Sequence, residues 1–176
     1  MKLTKKLFAF HSSIYVSPTW LSNGHFAVTR AIVDNAALFT TEATALATVG
    51  KGVRFTERDT DEVFQSWIDA TRTAWHVTDF LYESAGKTCR VVQSAPGVIA
   101  LIDRDYCDLL GIGPGHTIYN GKLDGSGPFA DGDTGEDLTW ILMPVRGSNE
   151  CRKALDPLFS ACWRMAAQPA TLAHAV

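Results

Sequence analysis

Apolar and polar side chains alternate in several short segments of the chain, and such alternation is typical of half-buried strands. Residues 7–16 are rich in β-branched and aromatic side chains and predict one or two strands, while residues 25–32 predict another. Ser22, Asn23 and Gly24 precede the latter segment and predict a turn, because Asn and Gly adopt positive φ angles at little cost. The first part of the chain therefore predicts a β-hairpin.

Further strands are predicted in the second half of the chain. Residues 75–83 and 88–94 alternate on either side of a Ser-Ala-Gly-Lys turn and predict a second hairpin. Residues 98–102 are a short apolar run of strand type, and residues 138–145 predict a final strand. Residues 111–137 are dense in Gly, Pro and Asp, so we expect two short strands there within long loops.

Three segments predict helices. Residues 56–72 place apolar side chains on one face at spacings of three and four, which predicts the main helix. Asp103 predicts the N-cap of a short helix over residues 104–110, and Gly111 predicts its end. Residues 148–167 also show helical spacing, with a proline inside that favours two short helices or a kink.

These elements predict an α+β fold with a mixed, mostly antiparallel sheet, one main helix and a short second helix. The chain of 176 residues is 46 % hydrophobic, which is sufficient for one domain with its own core. We expect residues 1–147 to form that single domain, and residues 148–176 to form a helical C-terminal extension with a loose tail.

The charge of the chain is unevenly distributed. The formal net charge is −3, yet residues 103–137 carry eight acidic and two basic side chains. This acidic stretch argues against nucleic acid on that side of the protein, while the mildly basic remainder permits weak contact with phosphates.

Cysteine usage and hydropathy bear on location. The four cysteines form no CxxC pair and show no zinc-ligand spacing, which favours buried, reduced thiols and a cytoplasmic protein. The basic and then apolar N-terminus lacks a small-residue cleavage site after its apolar run, so a first strand is preferred to a signal peptide. No apolar stretch approaches the length that spans a membrane, and we expect no membrane partner.

The sequence contains no strong catalytic or metal-binding motif. The acidic residues 131–137 do not fit the spacing of an EF-hand, and the glycine-rich residues 111–115 lack the lysine of a phosphate-binding loop. Cys107 could act as a nucleophile with His25 or His116, but a buried structural thiol explains it more simply. We therefore expect no cofactor and no metal, and the sequence favours a binding protein while leaving an enzyme open.

Two separate segments resemble a known family. Residues 22–27 read Ser-Asn-Gly-His-Phe-Ala, and residues 142–146 read Leu-Met-Pro-Val-Arg. In this order they resemble the two segments, of Thr-Asp-Gly-His-Arg-Leu-Ala and Met-Pro-Met-Arg-Leu type, that border the partner-peptide pocket of bacterial DNA sliding clamps. Residues 98–110 resemble a strand-plus-helix segment in the third domain of those clamps. The chain departs from the family by continuing through residues 147–176, where clamps end.

The resemblance implies a clamp-domain-like fold and a non-enzymatic binding protein of bacterial or phage DNA metabolism. The implied partner-peptide groove is lined by Gly24, His25, Phe26, Met143, Pro144 and Val145. Weak contacts with a DNA backbone are implied for Lys51, Arg54, Arg58 and Arg72. Protein partner peptides are the expected partners, with non-specific DNA and a homo-oligomer left open.

Two alternatives of different classes remain at this point. One is a small cytosolic enzyme that uses His25 or His116 with Cys107 or nearby carboxylates. The other is an oligomerising accessory protein that has no ligand.

Overall fold

The computed structural model describes residues 13–16, 19–33, 54–57, 71–84, 86–133 and 138–146, together with positions 153 and 157. Its strands are β1 (Ser13–Val16), β2 (Trp20–Ser22), β3 (Phe26–Thr29), β4 (Arg54–Glu57), β5 (Thr73–Ser84), β6 (Lys87–Ser94), β7 (Ile99–Asp103), β8 (Thr117–Asn120), β9 (Phe129–Ala130) and β10 (Trp140–Leu142). The helix α1 spans Arg104–Leu110, and a 3-10 turn spans Arg30–Ile32. The fold is α+β: a mostly antiparallel sheet with one α-helix within the described residues.

The ten strands form one sheet in the order β4-β1-β2-β3-β10-β9-β8-β5-β6-β7. β1 pairs with β4 in parallel, and the other neighbours pair antiparallel. The long hairpin of β5 and β6 shifts register between Val77 and Leu81, which marks a β-bulge. β10 is central to this order, because it joins the four strands on its β3 side to the five that begin with β9.

The sheet closes on itself through the residues that follow β10. Val145 forms an antiparallel bridge with Leu101 of β7, and its N–H donates to the Leu101 carbonyl at 2.8 Å. Two residues earlier, the N–H of Met143 donates to the carbonyl of His25 at 2.8 Å. Alternate amides of an extended segment point to the same side. The segment from β10 to Val145 therefore has both β3 and β7 on one side, with β3 beside its first part and β7 beside its last part. Strands β10, β9, β8, β5, β6 and β7 thus form a closed ring.

The main core lies inside this ring and continues under the strands on the β3 side. Its fully buried side chains are Leu21, Val28, Trp75, Val92, Ile102, Cys107, Phe129 and Leu142. Trp75 and Phe129 meet edge to face with ring centroids 5.4 Å apart. β7 is buried on both faces, which explains why residues 99–102 read as a continuous apolar run instead of an alternating one.

Gly125 is required where the loop after β8 crosses the core. Its φ angle is +70°, which a residue with a side chain rarely adopts. A Cβ atom at this position would lie 2.8 Å from Cη2 of Trp75 and 2.9 Å from Cβ of Ala100. The absence of a side chain therefore lets the loop backbone lie directly on the core.

The short helix α1 forms as its sequence predicts. The Asp103 side chain accepts a hydrogen bond from the N–H of Asp105 at 3.0 Å, and Gly111 ends the helix in the left-handed conformation. Tyr106 and Cys107 face inward and join the main core. The helix thus covers the ring where β7 ends.

Several predicted elements are confirmed, and two strands, β2 and β4, were missed. The predicted second hairpin is β5 and β6, residues 98–102 overlap β7, and residues 111–137 contain β8 and β9. At the start of the chain, β2 lies between β1 and β3 and pairs with both, so the turn at residues 23–25 joins β2 to β3. A strand of three residues is too short to show alternation, which is why the sequence did not predict it.

The predicted main helix over residues 56–72 is wrong at its beginning. Thr56 and Glu57 belong to β4, which pairs with β1 along its whole length. Residues 71 and 72 lead into β5 and are not helical, and residues 58–70 lie outside the described residues. Pairing with a strand about forty residues away overrode the local helical signal, as tertiary contacts often do.

The predicted C-terminal helical extension lies outside the described residues except for positions 153 and 157, which are both helical. Within the part of the chain that is described, no helix is long and apolar enough to cross a membrane.

Candidate partner-binding site

A tightly bonded turn between β2 and β3 holds His25 at the surface. The Asn23 side chain is buried, and its Oδ1 accepts hydrogen bonds from the N–H groups of His25 and Phe26, each at 3.0 Å. Its Nδ2 donates to the Tyr106 hydroxyl at 2.8 Å. The amide of Asn23 therefore ties the turn to α1 and fixes where His25 lies.

Two further features close this turn. Gly24 has a φ angle of +88°, in the region that glycine adopts without strain. The Ser22 hydroxyl accepts from the Gly24 N–H at 3.0 Å and donates to the Phe26 carbonyl at 2.9 Å. With its polar groups satisfied internally, the turn is a rigid support for the side chain that follows it.

The second segment of the site runs beside this turn. Met143 is held by its hydrogen bond to the His25 carbonyl, and Val145 by its hydrogen bond to Leu101. Pro144 lies between them and has no N–H to give to either neighbour. The side chains of all three residues are half-buried, so each presents part of its surface to solvent.

The structure thus brings together most of the residues that the sequence predicted for a peptide groove. Gly24 and His25 are exposed and lie next to Met143. Phe26 must be corrected as a lining side chain, because its ring is only 2 % exposed and stacks on Tyr106 at 5.5 Å. We call the exposed and half-buried set the docking surface: Gly24, His25, Met143, Pro144 and Val145.

A charged pair borders the docking surface. Lys87 Nζ lies 2.6 Å from Oδ2 of Asp103, the last residue of β7, and both charges act on the His25 ring. Sequence reasoning identified Asp103 as a helix cap and did not single out Lys87. Their pairing is seen only in the structure, where the register of β6 and β7 sets Cys89 opposite Asp103 and Lys87 two residues from that pair.

Burial and the ammonium of Lys87 favour the neutral form of the His25 ring. Burial lowers the pKa of His25, the ammonium of Lys87 lowers it further, and the carboxylate of Asp103 opposes them. The hydroxyl of Tyr106 also stays protonated, since burial raises its pKa more than the hydrogen bond from Asn23 lowers it. The site therefore presents the His25 ring, whose neutral form is favoured, beside the exposed ammonium of Lys87.

The residues predicted to touch DNA are not gathered by the described part of the structure. Arg72 Nη1 donates to the Gly132 carbonyl at 3.1 Å, and burial lowers the pKa of its guanidinium while the carboxylates of Asp131 and Asp133 oppose that shift. Arg54 lies on β4, while Lys51 and Arg58 lie outside the described residues. Arg72 is thus committed to the acidic loop, which leaves it poorly placed to bind a phosphate.

Asp131, the first of the acidic residues in the loop after β9, has a structural role. The Asp131 carboxylate accepts hydrogen bonds from the N–H groups of Thr139 and Trp140, at 2.9 and 3.2 Å, and from the Thr139 hydroxyl. These bonds fasten the loop after β9 to the start of β10. Among the described residues, no group of three His, Cys, Asp or Glu side chains could hold a metal ion.

The predicted enzyme alternative loses its nucleophile. Cys107 is fully buried, and burial raises the pKa of its thiol to about 12. His116 is exposed on the loop after α1, where Nδ1 lies 2.8 Å from the Gly113 carbonyl. A buried, protonated thiol cannot attack a substrate, so Cys107 is a structural residue.

We expect Cys107 to resist alkylation in the folded protein. A rise in pKa from 9.0 to about 12 lowers its thiolate fraction at pH 8 roughly a thousandfold, and burial blocks the reagent as well. Iodoacetamide labelling followed by peptide mass spectrometry should leave Cys107 unmodified in the native protein and modify it in urea. Rapid labelling of Cys107 without urea would contradict this assignment.

Comparison of the chain with protein-family models, with curated proteins and with solved structures finds no match. The function is therefore inferred from the residues and the geometry of the site.

Proposed function

We propose that this protein is a non-enzymatic binding protein that docks short partner peptides on the docking surface. The observation that carries the proposal is the hydrogen bond between the Met143 N–H and the His25 carbonyl. It joins two segments that lie more than a hundred residues apart in the chain and that share a likeness to the two sides of one peptide pocket.

The chemistry of the docking surface suits a peptide ligand. Met143 has a flexible, polarisable side chain that adapts to partners of different shape. Pro144 interrupts the backbone hydrogen bonds of the strand at the surface, and the neutral ring of His25 can donate or accept one hydrogen bond. An apolar strip bordered by a few polar groups is the usual composition of a peptide-recognition site.

The resemblance to sliding clamps gives the proposal its setting in bacterial or phage DNA metabolism. In that setting the protein recruits partners through their peptide motifs, as an adaptor or as one subunit of an oligomer. Contact with DNA is the weaker part of this proposal, because Arg72 already binds the acidic loop.

A displayed library of random twelve-residue peptides, selected on the immobilised protein, tests the proposal. We expect selected peptides to bind the Met143→Ala variant about tenfold more weakly, since their apolar side chains lose the thioether contact. Phe80→Ala is the matched control, because Phe80 is an apolar side chain that is 45 % exposed on β5, separated from Met143 by β6 and β7.

Two outcomes would overturn the proposal. One is a selection that enriches no peptide at all. The other is a set of peptides whose affinity is the same for the wild type and Met143→Ala, which would place their binding elsewhere on the protein.

A further inference from the structure

The ion pair beside the docking surface presents its positive end to solvent. The Lys87 side chain is 41 % exposed, whereas the Asp103 side chain is only 10 % exposed. Both oxygens of the Asp103 carboxylate are occupied, because Oδ1 accepts from the Asp105 N–H and Oδ2 binds Lys87. The ammonium has three donors, and its bond to Asp103 leaves others available to a ligand.

Other charged side chains lie around the site, and they include the exposed Asp105 of α1. Arg146 is exposed and directly follows Val145, so it adds a second positive charge at the end of the docking surface. On α1, Asp108 is balanced by Arg90 at 3.8 Å and by Arg104 at 3.5 Å. The ammonium of Lys87 lowers the pKa of His25 more than the carboxylate of Asp103 raises it.

From this arrangement we propose that the docking surface selects peptides in which a carboxylate side chain neighbours an apolar one. The apolar side chain packs on Met143, and the carboxylate binds the ammonium of Lys87. This inference rests on the proposed function and adds the chemical class of the partner. A charge-assisted hydrogen bond at a half-buried position is sufficient to distinguish an acidic peptide from its amide.

His25 extends this recognition. A carboxylate bound beside the ring would favour the imidazolium, because a negative charge within a few ångströms raises the pKa of histidine. Binding of an acidic peptide should thus be accompanied by proton uptake at His25, while the corresponding amide peptide should cause none.

The peptides from the library selection provide the probe. We expect them to be enriched in Asp or Glu next to an apolar residue, and a synthetic peptide to bind about tenfold more tightly than its Asn or Gln counterpart. Lys87→Met should abolish this difference. The double variant Lys87→Met with Asp103→Asn should also abolish the preference for the acidic peptide, and it leaves no unpaired carboxylate at position 103. Lys87→Arg should retain the preference.

NMR titration of the His25 ring measures its pKa with each peptide bound, and a general loss of stability would not change that pKa differently for the two peptides. The acidic peptide should raise the pKa of His25 and the amide peptide should not. Peptides that lose affinity in Met143→Ala but show no acidic preference would overturn this inference and leave the proposed function standing. A failed selection would overturn both.

Discussion

Replacement of Gly125 by alanine should lower the free energy of unfolding by about 3 kcal/mol, the sum of a left-handed backbone penalty and an overpacked core. The new Cβ would lie 2.8 Å from Trp75 and 2.9 Å from Ala100, and Trp75 is itself fully buried. In a protein of this size that loss corresponds to a fall in melting temperature of about 10 °C. Thermal unfolding followed by circular dichroism measures it.

Gly115→Ala is the matched control for this substitution. Gly115 has a φ angle of +84°, but no atom lies within 4 Å of the position of its Cβ. The control therefore carries the backbone penalty of about 1 kcal/mol without the clash. Equal losses in the two variants would show that the core around Trp75 yields to the added methyl group.

Replacement of Asn23 by alanine should cost about 3 kcal/mol, because three hydrogen bonds to a buried side chain are lost together. The change removes the acceptor for the N–H groups of His25 and Phe26 and the donor to Tyr106. Tyr106→Phe removes one of these bonds and should cost about 1 kcal/mol. Urea unfolding at constant pH gives both values.

The two variants also separate stability from binding. Loss of Asn23 releases the turn that holds His25, so peptide affinity should fall along with stability, whereas Tyr106→Phe leaves the turn bonds intact and should preserve affinity. A small, equal loss of stability in both variants would mean that the turn does not depend on the Asn23 side chain.

The sequence predicted the parts of this fold that depend on neighbours in the chain. The cap at Asp103, the end of α1 at Gly111 and the hairpin of β5 and β6 follow from local hydrogen bonds and turn chemistry. The closure of the ring by Val145 and the parallel pairing of β4 with β1 are contacts between distant segments, which periodicity does not encode.

The candidate site likewise combines features that the sequence predicted with contacts that it did not. The likeness to a known pocket pointed to His25 and Met143, while the ion pair of Lys87 and Asp103 became visible only when β6, β7 and β3 were placed together. The burial of Phe26 could have been predicted, because alternation along β3 puts Phe26 on the same face as Val28, and both belong to the main core.

The ring closure has a consequence for how the protein forms during synthesis. β3 and β7 share one strand as their neighbour, and that strand is translated more than forty residues after β7 begins. Until β10 and Val145 emerge, β3 and β7 are exposed edges on a growing chain, and such edges attract other strands. Contacts of this sequence separation also slow folding. The residues that complete the docking surface therefore also cover strand edges that would otherwise promote aggregation of the nascent protein.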